Sequence, residues 1–202
     1  EINNLAELPE FQDELERLRN ATFDHVFHTG DVMFLPEPEM IHNTKGATPY
    51  ECRHDKSYNP LKQIMDIATR VGESTEETIT AQLEALDNAH ASVRYWAAVG
   101  LFANKAQLEP YAEGIRKHLN DPAPYVACEI AAALYSATRD PEAKALLDQL
   151  ILSGNTLTAH QAVEKLLYAP KIAVDFAETI DLVQTRLEAY PDNFVLDQAV
   201  AM

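Results

Sequence analysis

One helix face occurs three times in this chain at a spacing of 33 residues. Val93, Ala97, Gly100 and Leu101 fall at i, i+4, i+7 and i+8, which is one side of an α-helix. Val126, Ile130, Ala133 and Leu134 repeat the pattern, as do Ala159, Val163, Leu166 and Leu167. Leu86, Leu119 and Leu152 keep the same offset in the segments that precede each copy. A fixed period of this length marks stacked supersecondary units, each burying an apolar face on its neighbours. The expected fold is therefore all-α, an α-α superhelix of helical hairpins. A content of only six glycines in 202 residues agrees with a helical class.

Local signals place the elements. Pro9 suits a first helical turn, and Phe11, Leu15, Leu18, Thr22 and Val26 keep helical spacing up to a stop at Gly30. Residues 31–58 carry no sustained period, and a short helix is expected at Glu37–Asn43. Phe34, Leu35, Met40, Ile41 and Tyr50 are too apolar for a free linker, so this connector is expected to lie against another surface. Asn59-Pro60 opens the next helix, a degenerate first repeat with Ile64, Ile67, Ala68 and Val71 inward and a stop at Gly72. Ser74-Thr75-Glu76-Glu77 reads as a capping box for a helix to Leu86. Outer helices are then expected over 107–119 and from the Asp140-Pro141 cap to Leu152, with inner helices over 125–138 and 158–168 and a turn at Gly154-Asn155. Pro170 stops the third inner helix, and a capping helix over 172–189 closes the array. The domain organisation is thus 1–58 for the helix and connector, 59–190 for the repeats, and 191–202 for a tail.

Charge excludes one class of partner. The net charge is −16, from 32 acids and 16 bases, with no Lys/Arg cluster. Nucleic acid is therefore not an expected partner. Nor is a membrane, since no apolar run approaches ~18 residues. The acids Glu76, Glu77, Glu84 and Asp87 read as a solvated outer face.

Three groups carry candidate chemistry. Arg94, Tyr95 and Trp96, with Tyr125 one repeat later, form a candidate interaction surface, because aromatics and Arg are enriched where proteins bind. The alternative is that the rings wedge between repeats as core. His25, His28 and Asp31 bring two imidazoles and a carboxylate to one helix end, a weak metal candidate without a third strong ligand. Cys52 beside His54-Asp55 suggests a nucleophile pair, but lies in an irregular segment with no orienting group. Two distant cysteines, Cys52 and Cys128, make no disulfide framework. No complete catalytic set is found.

Two stretches resemble known families. Leu86-Asp87-Asn88 followed by Val93-Arg94, Ala97-Ala98 and Leu101, and its return from Leu119 to Leu134, resemble HEAT-type repeats, although the period is short for them. Glu1-Ile2-Asn3-Asn4-Leu5-Ala6, the helix with Leu15-Glu16-Arg17-Leu18-Arg19, and Thr29-Gly30-Asp31 resemble the C-terminal end of the bacterial arylsulfatase-type catalytic domain. Phe34-Leu35-Pro36-Glu37, Thr48-Pro49-Tyr50-Glu51 and His54-Asp55 are similar to a connector found in some longer sulfatases ahead of a HEAT-like region. The resemblance implies a parent sulfatase that carries formylglycine, made from a Cys or Ser in Cys/Ser-x-Pro-x-Arg, and binds a divalent cation, calcium. Neither Cys52-Arg53-His54-Asp55 nor Cys128-Glu129-Ile130-Ala131 matches that motif. The chain alone is then non-catalytic and carries no cofactor. Phe34, Leu35 and Tyr50 become the expected contacts to a missing N-terminal catalytic domain. The alternative is a stand-alone repeat module with a protein partner or a second copy of itself. The compartment is unknown from the residues; a sulfatase parent implies a periplasmic or secreted protein.

Overall fold

Every regular element among the described residues of the computed structural model is helical, so the chain is all-α. The structure describes residues 3–42, 44, 46–152 and 156–189. The turn expected at Gly154-Asn155 and the tail expected at 191–202 lie outside them. Two compact units form, Glu1–Gln63 and Ile64–Met202.

In the first unit a 3-10 turn at Pro9–Phe11 leads into α1 (Gln12–Thr29). Gly30 ends α1 in the left-handed conformation, at φ 64°, which glycine adopts without a Cβ clash. A side chain there would also collide with His54, whose Nδ1 would lie 2.8 Å from an added Cβ. α2 (Glu37–His42) is the short helix expected in the connector. α3 (Pro49–Cys52) follows a full capping box: the Glu51 amide donates to Thr48 Oγ1, and the Thr48 amide donates to the Glu51 carboxylate at 2.8 Å. Asn59 ties these pieces together. Its Nδ2 donates to the carbonyls of Gly30 at 3.2 Å and Arg53 at 3.0 Å. α4 (Leu61–Ala68) begins two residues later, and the division between the units falls inside it.

The second unit holds α5 (Glu76–Ala85), α6 (Ala91–Ala103), α7 (Ala112–Arg116), α8 (Pro124–Thr138), α9 (Pro141–Ile151), α10 (Thr156–Tyr168), α11 (Pro170–Ala173) and α12 (Ala177–Ala189). α8 is its centre and packs on α6, α7, α9 and α10. Every residue from Tyr125 to Tyr135 is buried, as expected of a helix enclosed on all sides. The repeated columns line this core. Val93, Val126, Ala159, Ala97, Ile130, Val163, Ala133 and Leu166 are all buried; Leu167 is 51% exposed, so the register fails at the last position of the third copy. Thr75, not Ser74, caps α5 by accepting from the Thr78 amide, so the reciprocal acidic half of the expected capping box is absent. The helix expected over 107–119 is broken into a 3-10 turn at Glu109–Tyr111 and the short α7. Pro110 has no amide hydrogen to donate, and Gly114 weakens the helix further. The helix expected over 172–189 likewise passes through a 3-10 turn at Val174–Phe176.

Gly100 shows how tightly α5 and α6 meet. An added Cβ would lie 2.2 Å from Gln82 Nε2, and Gln82 is fully buried. Gly100→Ala is therefore expected to destabilise the unit by ~1–3 kcal/mol through overpacking. Adding Gln82→Ala should recover part of that loss in a double-mutant cycle of urea unfolding.

Asp140 ties α7 to the start of α9. It caps α9 by accepting from the Glu142 amide at 2.9 Å and the Ala143 amide at 3.0 Å, and Arg116 Nε donates to it at 2.8 Å. Burial alone would raise its carboxyl, but the Ala143 amide, Arg116 and the Glu142 amide outweigh burial and hold its pKa below the ordinary value. A depressed folded-state pKa stabilises the fold above the unfolded value of about 3.9, and that stability is lost as pH falls through the folded value. Asp140→Asn is expected to cost ~1–2 kcal/mol near neutrality, with the deficit shrinking below about pH 4. Urea melts of both proteins from pH 7 to pH 2 check this.

Candidate interaction surface

Two of the four residues expected to face a partner are structural. Arg94 is 9% exposed. Its Nε and Nη2 donate to Asp121 at 2.6 and 2.9 Å, and its Nη1 donates to the carbonyl of Asn88 at 2.9 Å. Asp121 also accepts from the Ala123 amide ahead of α8. Arg94 therefore latches the start of α6 to the turn before α8. Tyr125 is buried as well. Tyr95 and Trp96 are half-buried, their rings 5.9 Å apart edge to face, and Tyr95 lies 6.0 Å from Tyr125. Burial, and after it the carboxylate of Glu129, pushes the Tyr95 phenol well up, so it stays protonated. What remains for a partner is the outer side of Tyr95 and Trp96.

Behind these rings lies a polar core that sequence reasoning missed. Glu129 on α8 is fully buried, and Lys165 Nζ on α10 donates to its Oε1 at 2.6 Å. Gln161 Nε2 donates to the same oxygen at 2.8 Å and to the Tyr125 carbonyl at 2.9 Å. Glu129 Oε2 has no partner among the described residues. Neighbouring Cys128 is fully buried, and burial raises its thiol well above the ordinary value. Such a thiol is unreactive. Gln161 lies 32 residues from Glu129 and 36 from Tyr125, so no local pattern in the sequence marks this network.

The remaining candidates separate. His25 and His28 are exposed on α1, while Asp31 accepts from the Met33 amide and caps a 3-10 turn. No group of three or more His, Cys, Asp or Glu among the described residues is placed to hold a metal ion. Cys52 Sγ points to the Thr44 carbonyl at 3.7 Å, while His54 packs over Gly30. In the connector, Leu35 is buried and offers nothing to a partner, Phe34 is half-buried, and Tyr50 is exposed with Arg53 3.7 Å over its ring. Glu76, Glu77, Glu84 and Asp87 are exposed. Lys105, Ser136, Arg139, Tyr168 and Lys171 line a cleft of about 340 Å³ near the C-terminal ends of α6, α8 and α10, where cations complement the helix dipoles.

α1 stands apart. None of its 18 residues is buried. Leu15, Phe23 and Val26 are half-covered, while Phe11, Leu18 and Phe27 are 39%, 50% and 42% exposed. No described helix is long and apolar enough to cross a membrane. No family model, curated protein or solved structure matches the chain.

Proposed function

We propose that this chain is the non-catalytic C-terminal region of a bacterial sulfatase, with α1 docking on the catalytic body and the helical hairpins arranged as a HEAT-like superhelix. The observation that carries the reading is α1 itself: 18 residues of amphipathic helix with no buried residue. Helices of this length gain most of their stability from packing an apolar face. The stripe Phe11, Leu15, Leu18, Phe23, Val26 and Phe27 calls for a surface to lie on. The resemblance of Glu1–Ala6 and Leu15–Arg19 to the end of a sulfatase catalytic domain supplies the identity of that surface. Formylglycine and calcium would reside in the catalytic body: here Cys128 is enclosed in the core, and neither cysteine sits in the required motif. The repeats would then frame substrate access or mediate association.

One observation favours the second reading, a self-sufficient interaction module. Leu35 and Tyr58 are buried, and the Tyr58 hydroxyl donates to the Met40 carbonyl at 2.9 Å, so much of the connector is already packed. Reading the coding DNA upstream of Glu1 decides between them. Several hundred codons containing Cys/Ser-x-Pro-x-Arg, with aryl sulfate hydrolysis by the full-length protein, is the expected result. A start codon directly before Glu1 would sink the sulfatase reading and leave the module.

A further inference from the structure

We infer that the cleft lined by Lys105 and Lys171 in the second unit binds a small amphipathic anion, an acyl or aryl body carrying a single carboxylate or sulfonate head. The inference does not rest on the sulfatase reading.

The cleft has a volume of about 340 Å³, inside the range of roughly 300–1,000 Å³ usual for small-molecule sites. Ala106, Ala169, Pro170 and Ile172 give it apolar walls. Tyr168 also lines it and is 64% exposed. An exposed ring beside an apolar recess leaves both to water, which a ligand with an apolar body displaces at a gain.

Arg139 fixes two walls of the cleft to each other. It ends α8 in the left-handed conformation at φ 60°, the one non-glycine residue to do so among the described residues. That conformation is unfavourable for an L-residue with a long side chain. The guanidinium compensates: Nη1 donates to the Tyr135 carbonyl at 3.3 Å, Nη2 donates to the Lys171 carbonyl at 3.2 Å, and Nε lies 3.3 Å from Asp175. The end of α8 is thereby joined to α11. The cleft is formed before a ligand arrives, which lowers the ordering cost of binding.

Charge supplies the head-group preference. Acids outnumber bases 32 to 16 in the chain, yet the cleft is lined by Lys105, Arg139 and Lys171 and by no Asp or Glu. Arg139 is spent on the scaffold. Lys105 Nζ lies 3.4 Å from the Phe102 carbonyl and 4.4 Å over the Phe102 ring. Both cations therefore sit on the last carbonyls of a helix, where the dipole favours them. Neither Lys105 nor Lys171 forms an ion pair among the described residues, whereas Lys144 and Lys165 each hold a carboxylate. An anionic head in the cleft gains both ammonium groups, while its body covers the apolar wall.

The test titrates the whole chain with octanoate and, separately, with 2-naphthalenesulfonate. Octanol is the control for a body without charge, and acetate for a charge without a body. Heteronuclear NMR should show saturable shifts of the Ala106, Lys171 and Ile172 amides at about millimolar anion. Octanol should bind about fivefold more weakly than octanoate, or worse. Lys105→Gln/Lys171→Gln removes two side chains outside any ion pair and should fold normally; it should weaken octanoate by about tenfold and leave octanol unchanged. Ala106→Trp, at an exposed position on the cleft wall, should fill the recess and remove binding. Saturation by octanoate, by the sulfonate or by both supports the inference and names the body. No saturation by either at ~10 mM overturns it. So does octanol binding as tightly as octanoate, or a Lys105/Lys171 or Ala106 variant that binds as tightly as the parent.

Discussion

Lys165→Met is expected to destabilise the repeat unit by about 3–5 kcal/mol, the cost of leaving a buried charge without its counter-ion. Glu129 is fully buried and would keep only Gln161 as a partner, with Oε2 already unsatisfied. Replacing both charges gives a different outcome. Glu129→Leu with Lys165→Met removes the desolvated pair together, so the double variant should lie within about 1–2 kcal/mol of the parent, or above it. Trp96 is the only tryptophan and sits on α6, so its fluorescence during urea unfolding reports on this unit. A midpoint shift at constant slope would isolate the stability term. Equal losses in the single and double variants would mean that the shape of the side chains, not charge pairing, holds this region.

Arg94→Ala should cost about 3 kcal/mol by the same measurement. It frees the buried Asp121 and releases the Asn88 carbonyl. Arg94→Lys should recover little, since one ammonium cannot reproduce two parallel bonds to a carboxylate. This prediction separates a latch from a binding residue. A residue held for a partner would lose binding on substitution and leave the urea midpoint near the parent's.

The two variants also show where sequence stopped being informative. The inner helices were legible because apolar columns at Val93, Ala97 and Leu101 recur in register, and burial enforces that register. The caps at Asp140 and Gly30 were legible because each satisfies groups local in sequence. Arg94 looked like a surface residue because its acceptor, Asp121, is 27 residues away across a helical hairpin. The Glu129–Lys165 pair is hidden in the sequence because the two charges lie on separate helices and each breaks an apolar face until its partner is placed. The outer helix expected over 107–119 is interrupted because Pro110 and Gly114 break its regularity. Thr48-Pro49-Tyr50-Glu51 carries a capping box in plain view, and α3 could have been read from it.

Every residue of α8 from Tyr125 to Tyr135 is buried, whereas α1 buries none. Amide hydrogen exchange on the isolated chain tests that contrast residue by residue. Amides from Val126 to Tyr135 on α8 should exchange only through global unfolding of their unit. Those of α1, which buries no residue, should exchange faster by about a hundredfold or more. Protection of α1 equal to that of α8 would contradict the account, because α1 would then be a stable part of a self-sufficient fold.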